Sequence, residues 1–184
     1  MRADVVDDRQ VEGLGRVTLR VLDPDADLDV LHAWVTAPGT QFWGLGDLTR
    51  QELRDTYAFV DSLPTHDAYL VLRDDEPVAL LQVYDPAHDP VGECYDVQPG
   101  DVGVHVLVGA RGGHTVTTRL LRALVAMVAA RPGARRIVAE PDVRNDRALA
   151  RLTSTGFVAG PVIELPHKRA QLAFLTVEPT RETP

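Results

Sequence analysis

Apolar positions along the chain switch period several times, and each switch marks an element. Arg16 to Leu22 (RVTLRVL) alternates with period two and predicts a strand. Leu28, Leu31, His32 and Val35 recur at helical spacing after an Asp23-Pro24 start. Ala37 to Leu48 (APGTQFWGLGDL) is rich in glycine and aromatics and predicts a loop. Thr49 opens a second helix with Glu52 at capping-box distance. Asp67 to Arg73 and Pro77 to Tyr84 predict a hairpin turning on Asp74-Asp75-Glu76. After a proline-rich connection, Asp85 to Pro99, a strand is expected from Asp101 to Val108, then a glycine loop and a helix from about Val116 to Ala130. Arg135 to Glu140 predicts a short strand, Asp146 to Thr155 a helix, and two strands near 157–165 and 169–177 close the pattern. Residues 1–15 are polar and expected to be loosely ordered, 16–178 to form one domain, and 179–184 a tail.

A strand–helix–strand unit over 101–140 implies parallel pairing of its two strands, because a helical crossover joins them. The flanking hairpins are antiparallel, so the expected class is α/β with a mixed, mostly antiparallel sheet flanked by helices.

Composition narrows the function. At 184 residues with 45% hydrophobic and 25% charged positions, the chain can bury a real core. A net charge of -8 argues against a nucleic-acid backbone or an anionic membrane as partner. Cys94 is the single cysteine, which rules out an internal disulfide framework and suits a reducing compartment. No apolar run is long enough to span a bilayer and the first residues lack a signal-peptide core, so the expected localisation is cytoplasmic. The histidines show no metal-ligand spacing, and no metal is expected.

The candidate chemistry lies in three places. Between Val108 and Leu121 a glycine loop runs into a helix, a form that binds phosphates through unpaired amides at a positive dipole end. In GVHVLV, alternation puts Gly103, His105 and Leu107 on one strand face; His105 is either a core residue or a proton carrier near neutral pH. In VAEPDVRN, Pro141 ends a strand and projects Asp142, which is either a helix cap or an acid/base group. Asn145 is either a cap or a ligand contact, and Glu140 is expected to be structural. Trp43 either lines a substrate channel or fills the core, while Trp34 is expected in the core. Gln82 and Tyr84 share a strand face. Lys168 and Arg169 either meet an anionic group or are solvated surface cations, the second being expected.

Asn145, Ala148, Gly156 and Phe157 reproduce the N-x-x-A…Gly-Phe spacing of the GCN5-related N-acetyltransferase (GNAT) fold, which the element order also resembles over roughly residues 16–178. The pieces HAW, FWGLGDL, QVY, GDVGVHVLVG, VAEPDVRN and LPHKRAQL are similar to the N-hydroxylysine acyltransferases of siderophore biosynthesis, of aerobactin, alcaligin and mycobactin type. That resemblance implies the GNAT fold, with the parallel strand pair at an acyl-CoA site. It implies acetyl-CoA, or another acyl-CoA, as co-substrate and a small hydroxylated lysine, ornithine or diamine as acceptor. It implies His105 and Asp142 as catalytic residues that together take the acceptor's proton. The cofactor site it implies comprises Leu107, Val108, Gly112, Gly113, His114, Thr115, Val116, Thr117 and Asn145. Trp43, Gln82 and Tyr84 are its acceptor-side candidates. The loop VGARGGHTVTTRLL departs from the superfamily's R-G-x-G-x-G/A pattern, which leaves its register open. Two other readings stay open: a GNAT enzyme for another amine, and a degenerate module that binds coenzyme A without turnover.

Overall fold

A computed structural model describes residues 4–109 and 113–177, apart from the side chain of His114. The described residues form eight strands, β1 (Val5–Val11), β2 (Gly15–Val21), β3 (His66–Arg73), β4 (Glu76–Tyr84), β5 (Asp101–Val108), β6 (Arg136–Ala139), β7 (Val158–Leu165) and β8 (Lys168–Thr176). Their order in one sheet is β1-β2-β3-β4-β5-β6-β8-β7. Four α-helices, α1 (Leu28–Val35), α2 (Arg50–Ser62), α3 (His114–Ala129) and α4 (Asp146–Ser154), are interleaved with them. Strands β5 and β6 run parallel, and the pairs β1–β2, β2–β3, β6–β8 and β7–β8 run antiparallel. This is the mixed α/β sheet expected from the periodicity.

The described residues gather into two compact units. One takes the residues up to Val83 together with His105–Ala123; the other takes Tyr84–Val104 together with the chain from Leu124 on. In the first unit, Leu31 and Val35 of α1 and Leu53 and Tyr57 of α2 bury their helical stripes against Leu70, Leu80 and Leu107. Thr49 and Glu52 make the full capping box that starts α2. Asp74 and Asp75 both adopt positive φ, 49° and 68°, in the β3–β4 turn. The second unit has its own core of Tyr84, Val91, Val138, Ile163, Ala170 and Leu172.

Residues 5–11 correct the expectation of a loose N-terminus, because they form β1 in antiparallel register with β2. Charges hid this strand. It is an edge strand with little to bury, and its polar positions are matched across the pair, Arg16 to Asp8, and along it, Arg9 to Asp7. Helix α3 begins at His114, two residues before its expected start. Gly156 ends α4 with φ 97°, as the Gly-Phe pair predicted, and Phe157 returns buried to the sheet side. No described helix is long and apolar enough to cross a membrane.

Candidate active site

Strand β5 presents His105 half-buried within the first unit. Its imidazole meets the Trp43 indole in a T-shaped contact, centroids 6.3 Å apart and planes at 81°. Trp43 Nε1 in turn donates to the Tyr57 hydroxyl at 3.2 Å. Tyr57 is fully buried in the core, and burial raises its phenol pKa well above the ordinary value, so it stays a neutral anchor. Of the two expectations for Trp43, the structure shows core packing: one edge is fastened to Tyr57 and the ring meets the histidine. Trp34 also packs on this core, as expected, and its indole lies across Gly109, where any Cβ would clash with the ring. Leu107 joins the core cluster, while Val108 and Gln82 are half-buried.

At the start of α3, Gly113 is exposed with open space around it, and its carbonyl accepts from Thr117 N at 3.1 Å. Thr115 is exposed and Val116 half-buried, but Thr117 is buried and turns away from solvent. Gly112 and the side chain of His114 lie outside the described residues. Thr115, Thr118, Arg119 and Arg122 line a shallow groove of about 340 Å³. The two arginines escaped the motif-based reading, although their spacing from Thr115 (i+4 and i+7) places them on its face of the helix. Arg119 donates to the Gly13 carbonyl at 3.2 Å, across a turn where Gly13 has φ 72°. Hydroxyls, two guanidinium groups and the first turn of a long helix fit a polyanionic ligand such as the pyrophosphate arm of coenzyme A.

The second unit holds a network at the end of β6. Tyr84 donates its hydroxyl to Glu140 Oε2 at 2.8 Å, and Lys168 Nζ lies 3.3 Å from Glu140 Oε1. Tyr84 and Glu140 are each 3% exposed, and the Lys168 side chain 15%. Lys168 is thus a half-buried ion-pair partner of a buried carboxylate, which corrects its expected surface solvation. Tyr84 was an acceptor-side candidate; the structure closes it inside this network. Its phenol pKa is driven far up by burial and then by the Glu140 charge, so it stays protonated and donates to Glu140. Gly103 faces its ring so closely that a Cβ there would clash.

Asp142 follows in the same unit, 5% exposed. Both its oxygens accept from Arg144: Nε and the backbone N–H to Oδ1 at 2.9 Å each, Nη2 to Oδ2 at 2.7 Å. The Arg144 hydrogen bonds, against an opposing burial penalty, hold the Asp142 carboxyl down to about 2. The helix cap is not Asp142 but Asn145, whose side chain accepts from Ala148 N at 3.1 Å. Among the described residues, no group of three or more His, Cys, Asp or Glu is placed to hold a metal ion.

A family model described as an acetyltransferase (GNAT) domain matches residues 23–165. The chain belongs to that family. An N(6)-hydroxylysine O-acetyltransferase of Escherichia coli is 28% identical over 165 residues, covering 86% of this chain. The match covers 51% of that relative, so the chain spans about half its length. A solved structure of AAC(6')-Ib in complex with parmomycin and acetyl-CoA is 25% identical, covers 87% of this chain and 93% of its own, and superposes with a TM-score of 0.77. An uncharacterised Bacillus halodurans protein, 21% identical, shares the fold with a TM-score of 0.86 over 96% of this chain and 92% of its own.

Proposed function

We propose that this GNAT domain transfers an acetyl group from acetyl-CoA to the nitrogen of an N-hydroxylated side-chain amine, giving a hydroxamate of the kind found in siderophores. The observation that carries this reading is the relative that acts on N(6)-hydroxylysine, aligned over most of this chain. The nitrogen lone pair attacks the thioester carbonyl, the C–S bond breaks, and coenzyme A leaves as a thiolate. The nitrogen gives up one proton and the departing sulfur takes one. A hydroxylamine is far less basic than an alkylamine and arrives neutral, so no strong base is needed to free it. Two groups of this chain suit that proton, each judged in its own unit. His105 carries an imidazole, a ring that can take and give a proton, and Trp43 meets it edge-on. Asp142 is a carboxylate already ionised and buried at the end of a strand. Backbone N–H groups at Leu107 or Val108 are the candidates for polarising the carbonyl. On this reading His105→Ala and Asp142→Asn each lower the rate of thiol release about tenfold or more; wild-type rates in both variants contradict the proton-handling roles.

The relative's name places its acetyl group on oxygen, which is the second reading. Ferric ion separates the two, because an N-acyl hydroxylamine forms the coloured ferric hydroxamate and an O-acyl ester does not. Colour from the N6-hydroxylysine product supports nitrogen; a colourless acetylated product supports oxygen.

A further inference from the structure

The pairing of Asp142 with Arg144 is lopsided. The carboxylate is 5% exposed, while the Arg144 side chain is 74% exposed. Backbone hydrogen bonds fasten the loop around them. Gln171 N donates to the Pro141 carbonyl at 2.9 Å, Val143 N to the Arg169 carbonyl at 3.0 Å, and Asn145 N to the Asp142 carbonyl at 2.9 Å. Asn145 then caps α4 with its own side chain. The Arg144 guanidinium therefore closes the solvent side of a buried carboxylate whose position other bonds maintain. Its Nε–H and Nη2–H are two donors side by side on the two carboxylate oxygens. A neutral hydroxylamine, –NH–OH, also carries two donors on adjacent atoms, and an ordinary amine does not.

We propose that Arg144 is a positioning residue that covers Asp142 in the free protein and is displaced when the acceptor's N–H and O–H take its place on the carboxylate. This rests on the reading that Asp142 receives the acceptor's proton. The incoming N–H and O–H replace the two side-chain donors on the buried carboxylate, so its hydrogen bonds are exchanged rather than lost. Displacement also removes the guanidinium that lowers the carboxyl most, which makes Asp142 a better proton acceptor when the acceptor is bound. The charge that still faces it is the Lys168 ammonium on β8, with the Arg144 backbone N–H remaining on Oδ1.

The test is steady-state thiol release by the full chain with acetyl-CoA and N6-hydroxylysine, for wild type, Arg144→Gln, Arg144→Lys and Asp142→Asn. Removing the competing fork is expected to lower the acceptor KM about two- to fivefold in Arg144→Gln, the size of one exposed ion pair. The acid limb of kcat/KM should shift to higher pH in the same variant, and Arg144→Lys, which keeps the charge without the fork, should fall between it and wild type. An acceptor KM that is unchanged or raised in both arginine variants overturns the proposal. Asp142→Asn separates the two ideas. A wild-type rate there removes the proton-acceptor role and the cover with it. A lowered rate, combined with an unchanged KM in the arginine variants, removes the cover alone.

Discussion

Lys168 is the only lysine in a chain whose other 18 basic side chains are arginine, and it pairs with the buried Glu140 carboxylate. Removing one partner of such a pair leaves an uncompensated buried charge, at a cost of about 3 kcal/mol or more. Lys168→Met is therefore expected to lower the denaturant midpoint clearly, and adding Glu140→Gln should recover much of the loss. A single variant as stable as wild type contradicts the pair. Glu140 was expected to be structural, but its pairing with Lys168 was not read, because the two lie 28 positions apart and meet only when β6 and β8 align. Pro141 was legible as the end of a strand, and a cap was one of two readings for both Asp142 and Asn145, of which Asn145 makes it. The Arg144 grip was not read, although it is local (i to i+2), because arginine in a polar loop reads as solvated surface.

At the scale of elements, β5 carries His105 and α3 carries the arginine groove. Two glycines on and just after β5 are set by bulk rather than backbone conformation: Gly103 yields to the Tyr84 ring and Gly109 to the Trp34 indole. Alanine at either is expected to destabilise by about 1–3 kcal/mol, measured by chemical denaturation; a neutral effect at both contradicts the packing. On α3, Arg119→Ala with Arg122→Ala should raise the KM for acetyl-CoA several-fold while leaving the acceptor KM near wild type. An unchanged acetyl-CoA KM would remove the groove from the co-substrate site. Period and caps made the helices and β2 to β8 legible. Strand β1 was masked because an edge strand buries little and alternates charge. The groove was masked because a search for glycines passes over arginines one and two turns further on.

Each compact unit has its own core, and in the second the parallel β5–β6 pair begins on one ion pair. Asp101 accepts from Arg136 Nε and Nη2 at 2.7 and 2.6 Å, and from the Tyr95 hydroxyl at 2.9 Å. Burial pushes the Asp101 carboxyl up, but Arg136, the Gln98 N–H and Tyr95 outweigh it and the net pKa is lowered. A lowered folded value means that the ionised form stabilises the fold. That contribution is complete above the unfolded carboxylate value of about 3.9 and is lost as pH falls through the lowered folded value. Asp101→Asn should therefore reduce stability near neutrality by about 3 kcal/mol and flatten its fall in acid. An unaltered acid unfolding curve contradicts this assignment.

The family match covers residues 23–165, so the acceptor is what separates this chain's reading from those of other GNAT domains. The most direct measurement is kcat/KM for acetyl-CoA-dependent thiol release with N6-hydroxylysine, lysine, kanamycin and spermidine in parallel. A site built around the hydroxylamine's two donors predicts a preference for N6-hydroxylysine of about a hundredfold or more over the amines that lack the hydroxyl. Equal or faster turnover of any ordinary amine, or no thiol release with N6-hydroxylysine, would contradict it.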